Sequence, residues 1–548
     1  MKNKVKILIL TLFTVVIGSC KLDLLDNPNA VTTNNTDLNY LLNNIQLGLS
    51  GHFNNMSDPG MRLTRMLNQG AAIYDNAVSP GGLNGTWNTA YAGILNDIKA
   101  LIPLAEKGEL FAHAGAARII RAYTLVTMVD AFGDIPLSEA LNPENFNPKA
   151  DGGAAVYTAA LADLDQGIAN LAAKNKSGIT SDLFFGGDAD KWTRLANTLK
   201  LKILLSRRLV DKAGSTSGIN ALIAGGKLIS ANAQNFVFKY GSNLTNPDTR
   251  QRSYANQYSA TGGGDYQSNS YMGTMYQAKG FPDPRMRFYF YRQTIANSKD
   301  VNEIRCINNN KPAHYSASDV FCYPTTQGYW GRDHLSNEGI PPDGLKRTAW
   351  GLYPAGGLYD NDAGKGVSLG AGAGGAGLTP IMMQSFVDFM LAESALTMGT
   401  TGDAKALLKS GIEKSMADVR ALAMGSTESG KITTFETAAT YVWATDVTKY
   451  VTKVLADYDA ATTDDARLNI IATEYWIALH GNGVEAYNLY RRTGKPANQQ
   501  PGLDPNYGAF VRSYYYPAAF IANNSSVKQK ANVTVPVFWD TNPAGFVK

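Results

Sequence analysis

Histidine, a common metal ligand and general base, is scarce in this chain of 548 residues. The five histidines are His52, His113, His314, His334 and His480. None of them forms a close metal-binding pair of the HExxH kind. His113 and His480 lie in stretches with helical spacing, where a buried structural histidine is the usual case. The sequence therefore predicts no metal ion and no other cofactor.

A glycine-rich stretch contains two patterns that also occur in enzymes. Gly366-Val-Ser368-Leu-Gly370 matches the nucleophile motif of esterases, and Gly370-Ala-Gly372-Ala-Gly374-Gly375 matches a dinucleotide-binding motif. Each motif requires a strand before it and a helix after it, and neither has this context here. We interpret the stretch as a mobile flap without catalytic function.

Aromatic side chains are the residues best suited to binding. Between Gln251 and Asp360, 18 of 110 residues are aromatic, against 10% in the whole chain. Aromatic rings stack on the apolar faces of sugars, and similar surfaces receive peptide side chains. The candidate ligand-binding residues are Tyr74, Trp87, Tyr271, Tyr329, Trp330, Trp350 and Tyr353. For Trp87 and Trp330, packing inside the protein is the alternative interpretation.

The segments that contain these residues must be positioned by helices. Apolar and small residues recur at three-and-four spacing from Ala116 to Thr127, which predicts a buried helix. Gly133 and Pro136 are expected to end it. Similar stripes from Tyr157 to Leu171 and from Trp192 to Ile203 predict helices packed side by side, as in helical-hairpin repeats.

The helical period is confined to two parts of the chain. It covers about residues 37–213, disappears between about 214 and 379, and returns from Pro380 to about 495. The middle segment alternates Tyr, Asn, Gly and Pro with short apolar pieces, which predicts a loop-rich, partly β insertion. We expect one domain over residues 37–548, with ligand binding in the insertion.

The N-terminus has the features of a lipoprotein signal. Lys2, Lys4 and Lys6 precede an apolar run that is too short to span a bilayer, and Ile17-Gly18-Ser19-Cys20 follows. This predicts a signal peptide at 1–19, acylation of Cys20 and a tether at 20–36. An ordinary secretory signal with an incidental cysteine is the alternative.

Two further cysteines, Cys306 and Cys322, are closely spaced. In an exported protein such a pair can form a disulfide, and two buried free thiols are the alternative. A metal site is not expected, because no second Cys or His pair at ligand spacing lies nearby. The 50 basic and 46 acidic residues are interspersed, which argues against nucleic acid as a partner.

Several segments together resemble the SusD/RagB family of surface lipoproteins from the Bacteroidetes. They are Arg121-Ala-Tyr123, Asp130-Ala-Phe132-Gly133-Asp134-Ile-Pro136, Lys191-Trp192 with Ala196-Asn197-Thr198-Leu199-Lys200, and the block from Ile470 to Pro496. Family members usually carry Gln-Lys-Trp where this chain has Glu474-Tyr475-Trp476. The resemblance extends over nearly the whole chain after Cys20.

The resemblance implies a mainly α fold of tetratricopeptide-like helical hairpins and a binding protein without enzymatic activity. It implies a lipid-anchored outer-membrane protein that captures an oligosaccharide and delivers it to a SusC-like TonB-dependent transporter. An oligopeptide receptor is the alternative within the family. A surface glycoside hydrolase is a further alternative, because the fold rather than the sequence spacing brings its carboxylates together. A purely structural lipoprotein, which would bind no small ligand, is the last.

Overall fold

The computed structural model describes residues 37–438 and 441–548, which are mainly helical. The helices are α1 (Leu38–Leu63), α2 (Asn84–Asn88), α3 (Asn96–Lys107), α4 (Phe111–Phe132), α5 (Gly153–Ala172), α6 (Ala189–Arg207), α7 (Lys212–Gly225), α8 (Arg252–Gln257), α9 (Asn269–Gln277), α10 (Met286–Tyr289), α11 (Gln384–Met398), α12 (Ala404–Met424), α13 (Ser429–Ala438), α14 (Trp443–Ala460), α15 (Asp464–Ala478), α16 (Gly483–Thr493) and α17 (Ala518–Asn523). The strands are β1 (Phe236–Lys239), β2 (Phe290–Tyr291), β3 (Ala349–Trp350) and β4 (Leu378–Met382). The predicted signal peptide, Cys20 and tether lie outside the described residues.

Helix α4 is the most deeply buried of the long helices, and the sequence explains why. Its small residues allow a close crossing with α5, where a Cβ on Gly115 would lie 2.9 Å from the carbonyl oxygen of Gly167. The helix ends at Gly133, whose φ of 78° favours glycine. The predicted helix and its C-terminal end are both confirmed.

Helical hairpins form the body of the protein. The pairs α4–α5, α6–α7, α11–α12 and α15–α16 each consist of consecutive helices, and α11 also packs on α15. Helix α1 crosses α16 so closely that a Cβ on Gly60 would lie 2.1 Å from the carbonyl oxygen of Gly483. This mainly α architecture of hairpins confirms the predicted fold class.

The segment between α7 and α11 contains short helices, short strands and long irregular stretches. Antiparallel pairing of β1 with β4 joins its two ends, and β2 pairs with β3 inside it. The glycine-rich stretch packs tightly on Pro354–Gly357, and a Cβ on Gly377 would lie 2.1 Å from the carbonyl oxygen of Pro354. Gly372 and Gly377 therefore serve close backbone contact, which corrects the interpretation of this part of the stretch as a flap.

A buried cluster of charges connects the hairpins. The Lys202 ammonium lies 3.1 Å from Asp130 Oδ2 and 2.8 Å from Glu485 Oε1, and Trp539 Nε1 donates to Asp130 Oδ1 at 2.9 Å. Burial alone would raise the pKa of Asp130, but Lys202 and its hydrogen-bond donors hold this pKa below its usual value. The cluster therefore joins α4, α6, α16 and the C-terminal segment.

No helix in the described ranges is long and apolar enough to cross a membrane.

Candidate functional site

The seven aromatic candidates are all at most 7% exposed. Three of them pack in the core near His480. The Tyr271 hydroxyl donates to the Ile477 carbonyl, and the Trp350 ring centroid lies 4.9 Å from that of His480. The Tyr353 ring stacks on Tyr289 at a centroid distance of 5.5 Å. Their ring faces are occupied by protein. The structure therefore corrects the expectation that Tyr271, Trp350 and Tyr353 are available to a ligand.

The two candidates in the N-terminal part are also interior residues. Tyr74 Oη lies 3.0 Å from His334 Nε2, and its ring contacts Phe510 at a centroid distance of 5.3 Å. Trp87 lies between Phe132 and Phe520, at centroid distances of 5.2 and 4.5 Å. For Trp87 the alternative interpretation, a core tryptophan, describes its position.

Trp330 belongs to a small separate core with Ile304 and Cys322. Cys306 and Cys322 form a disulfide in the structure, with 5.5 Å between their Cα atoms. Trp330 borders a cavity of only about 20 Å³, which is room for about one water molecule. Loop packing, the alternative interpretation of Trp330, therefore describes its place.

Tyr329 is the candidate that lines a cleft. The cleft has a volume of about 230 Å³ and contains three further aromatic rings, those of Tyr276, Phe281 and Tyr441. We call it the aromatic cleft. Tyr276 and Tyr329 are 6.0 Å apart at 51°, and Tyr276 Oη donates to Gln327 Oε1 at 3.0 Å. Such a volume is below the roughly 300–1,000 Å³ of enclosing ligand pockets, so the cleft suits part of a longer molecule.

Two arginines fix the inner wall of the aromatic cleft. Arg292 lies over the Tyr329 ring at 4.7 Å and pairs with Asp360 at 2.7 Å, and Tyr329 Oη donates to Asp360 Oδ2. Arg287 pairs with Asp362 at 2.9 Å. Burial and the Asp360 carboxylate raise the pKa of Tyr329, so this hydroxyl stays protonated. The wall is therefore rigid before any ligand arrives.

Asp446 and Lys449 carry the polar groups of a further wall, on α14. The Lys449 ammonium lies 4.0 Å from the centroid of the Phe281 ring. Neither side chain forms an ion pair in the described ranges, and the Asp446 carboxylate lies near Lys449, Arg287 and the Val442 N–H. Burial raises the pKa of Asp446. The wall thus offers one acceptor and one donor group to hydroxyls of a ligand.

Sequence reasoning missed Tyr276, Phe281, Tyr441 and Asp446. The segment Phe281-Pro282-Asp283-Pro284 held one usable signal, because two prolines fix the backbone next to an aromatic ring. Nothing in the sequence pairs this segment with α14, which lies about 160 residues further along the chain.

The geometry gives catalysis little support in the described residues. Asp283 borders the aromatic cleft, but its two carboxylate oxygens bind Arg285 at 3.0 and 2.6 Å. Ser368 lies in irregular structure without a preceding strand. Burial lowers the pKa of His480 to about 3, so this ring is neutral near pH 7. No group of His, Cys, Asp and Glu suited to a metal ion occurs in the described ranges.

Comparison with known proteins gives one family. Residues 28–517 match the SusD-like family model described as "Starch-binding associating with outer membrane". No curated protein matches the chain.

Solved structures share the fold at low sequence identity. A SusD homologue from Bacteroides fragilis NCTC 9343 is 17% identical, with a TM-score of 0.66 over 93% of this chain and 100% of its own. A chitin-binding SusD homologue from Flavobacterium johnsoniae is 20% identical, with a TM-score of 0.58 over 91% and 99%. A further chitin-binding protein is 19% identical, with a TM-score of 0.64 over 92% and 100%.

Proposed function

The chain belongs to the SusD-like family, and from this premise we propose that it is a nutrient-binding protein of the cell surface. It captures an oligosaccharide in the aromatic cleft and passes it to a SusC-like TonB-dependent transporter of the outer membrane. An acylated Cys20 anchors it to that membrane. The protein binds its ligand without cleaving it.

The aromatic cleft is the observation that carries this proposal. Pyranose rings present C–H faces that pack on Tyr276 and Phe281, and their hydroxyls exchange hydrogen bonds with Asp446 and Lys449. A cleft that combines aromatic rings with polar groups therefore suits a neutral sugar unit. Its small volume leaves the rest of an oligosaccharide outside.

The chemistry also separates binding from hydrolysis. Glycoside cleavage requires two carboxyl groups on opposite sides of the scissile bond. Two acids line the aromatic cleft, and Asp283 is held by Arg285, which leaves Asp446 as the free carboxylate. One free carboxylate supports binding, not glycosidase chemistry.

The first experiment is calorimetric titration of the purified protein with short oligomers of starch and of chitin, the latter because two proteins with this fold are described as chitin-binding. Loss of the Phe281 or Tyr276 ring is expected to weaken binding about tenfold, equivalent to ~1.4 kcal/mol. Phe146, whose side chain is 81% exposed, lies outside the cleft, and Phe146→Ala is the matched control. Equal affinities for all variants would contradict the proposed site.

The same titrations distinguish the alternatives. Heat of binding with oligopeptides but not with oligosaccharides would favour a peptide receptor. Sugar products after long incubation would favour a hydrolase. Absence of any small-molecule ligand would favour a structural lipoprotein.

Membrane anchoring and the transporter partnership have their own tests. Cys20→Ala is expected to release the protein from the membrane fraction, and a variant that stays there would contradict the anchor. Purification of the native complex is expected to recover a large TonB-dependent barrel, and its absence would contradict the partnership.

A further inference from the structure

A second cleft, of about 500 Å³, lies between α9, α14 and α15 and is closed on one side by the disulfide-bonded loop and residues 496–499. We call it the polar cleft. Polar and charged residues of its lining include Thr274, Lys279, Asp319, Asp457, Glu474 and Gln499. The proposed capture of an oligosaccharide in the aromatic cleft makes no use of this second cleft.

The charges that line the polar cleft are mostly negative. Asp319, Asp457 and Glu474 stand against one cation, Lys279. The Lys279 ammonium pairs with the Glu474 carboxylate at 2.8 Å. The Glu474 side chain is only 1% exposed, so this ion pair is largely buried. Asp457 also has a neighbour outside the lining, Lys453, one helical turn away. Asp319 is therefore the acid of this lining without an ion pair in the described ranges, and its Oδ2 accepts a hydrogen bond from the Ser316 N–H at 2.7 Å.

Glu474 is already fully engaged. It receives a hydrogen bond from Tyr450 at 2.9 Å and lies 3.3 Å from the Arg285 guanidinium, in addition to Lys279. It therefore fixes the orientation of Lys279 and leaves the binding of a ligand to other groups.

Gln499 provides an unsatisfied acceptor in the lining. The residue is 9% exposed, and its Oε1 is buried without a hydrogen-bond partner among the described residues. A buried carbonyl oxygen without a donor is unfavourable, and a donor that arrives with a ligand removes this penalty. Oε1 has almost no accessible surface, so the amide becomes an acceptor for a ligand that donates hydrogen bonds when its side chain turns towards the cleft.

The remaining lining is mixed, with polar side chains such as Thr274, Asn469 and Thr473 beside an apolar part. Val454, Ile470 and Trp476 contribute hydrocarbon and indole surface close to the acids. A ligand that combines a cationic donor group with an apolar face therefore suits this lining. An ammonium attached to a carbon skeleton has this combination, whereas an anion would meet Asp319 and Asp457.

From this combination we propose that the polar cleft is a second ligand site, which binds a primary ammonium group through Gln499 and Asp319. Amino sugars with free amines and the N-termini of short peptides both carry this group. The site is independent of the aromatic cleft, because Phe281 and Asp446 contribute nothing to its lining.

The test is calorimetric titration near pH 6, where a free α-amino group with a pKa of about 8 is protonated. The probes are glucosamine oligomers with free amines, the same oligomers N-acetylated, and a tripeptide with a free or an acetylated N-terminus. All titrations use the Phe281→Ala background, in which binding of sugars at the aromatic cleft is expected to be about tenfold weaker. Amino sugars and peptide N-termini, the two sources of the ammonium group, are thus compared under the same conditions.

The free-amine form of at least one pair is expected to bind at least tenfold more tightly than its acetylated form. Gln499→Leu and Asp319→Asn should each reduce that affinity at least tenfold. Asp459→Asn is the matched control, because Asp459 lies on α14 outside the lining and pairs with Lys405. Gln499→Leu should leave the urea unfolding midpoint unchanged or higher, since it removes an unsatisfied amide.

Equal affinity for the free and acetylated forms, or no binding of any probe, would overturn the proposal. Unchanged affinity in both Gln499→Leu and Asp319→Asn would also overturn it. Binding of neutral oligosaccharides by the protein with an intact Phe281 is measured separately, so failure of the second site is distinguishable from failure of the proposed function.

Discussion

Replacement of Trp350 tests whether the aromatic residues of the irregular segment belong to the core or to the ligand site. Trp350 is 1% exposed, its indole Nε1 donates to Asp265 at 3.3 Å, and its ring contacts His480. Removal of a buried tryptophan ring generally costs about 3–5 kcal/mol of unfolding free energy. Trp350→Ala is therefore expected to lower the urea unfolding midpoint strongly, and Trp350→Phe to lower it less.

The assay compares stability and binding in the same samples. Phe146→Ala is the control for stability, because substitution at so exposed a site usually changes stability by less than about 0.5 kcal/mol. Under conditions where Trp350→Ala remains folded, its affinity for the oligosaccharide should equal that of the unmodified protein. An unchanged midpoint together with lost binding would refute the assignment of Trp350 to the core.

Three further predictions concern the fold. Burial lowers the pKa of His480 to about 3, so the unfolded chain takes up this proton first and stability falls as the pH drops from about 6.5 towards 3, by up to ~1.4 kcal/mol per pH unit. In thermal unfolding, His480→Phe should flatten this dependence, and an unchanged slope would contradict it. Gly60→Ala should lower the melting temperature through its clash with α16, whereas Gly51→Ala, with open space around it, should not; equal effects would count against the close crossing. Serine at both Cys306 and Cys322 should cost about 3 kcal/mol, since the bridge closes a loop of about 15 residues, and an unchanged urea midpoint would argue against the bridge.

Local patterns were sufficient for the helices. The three-and-four spacing in α4 and the Gly133 end depend on neighbouring residues, so the sequence predicts them directly. The contact of Gly60 with Gly483 joins residues more than 400 positions apart, and no local sequence pattern predicts it. The fold class could therefore be predicted, and the close helix crossing could not.

The candidate binding residues illustrate the same limit. A high density of aromatic residues indicated the part of the chain that contains Tyr329, but composition does not tell which ring faces a cleft and which faces the core. Trp330 is adjacent to Tyr329 and packs in a different core. Asp446 lies on α14, and Tyr441 lies just before this helix. Both line the cleft, although no binding was expected in this helical region.

Capture of an oligosaccharide in the aromatic cleft is tested most directly by a crystal structure of the protein with the oligosaccharide that binds most tightly. We expect density for a sugar ring packed on Phe281 and Tyr276, with a hydroxyl within hydrogen-bond distance of Asp446. Density for the ligand at another surface, with the aromatic cleft empty, would contradict it.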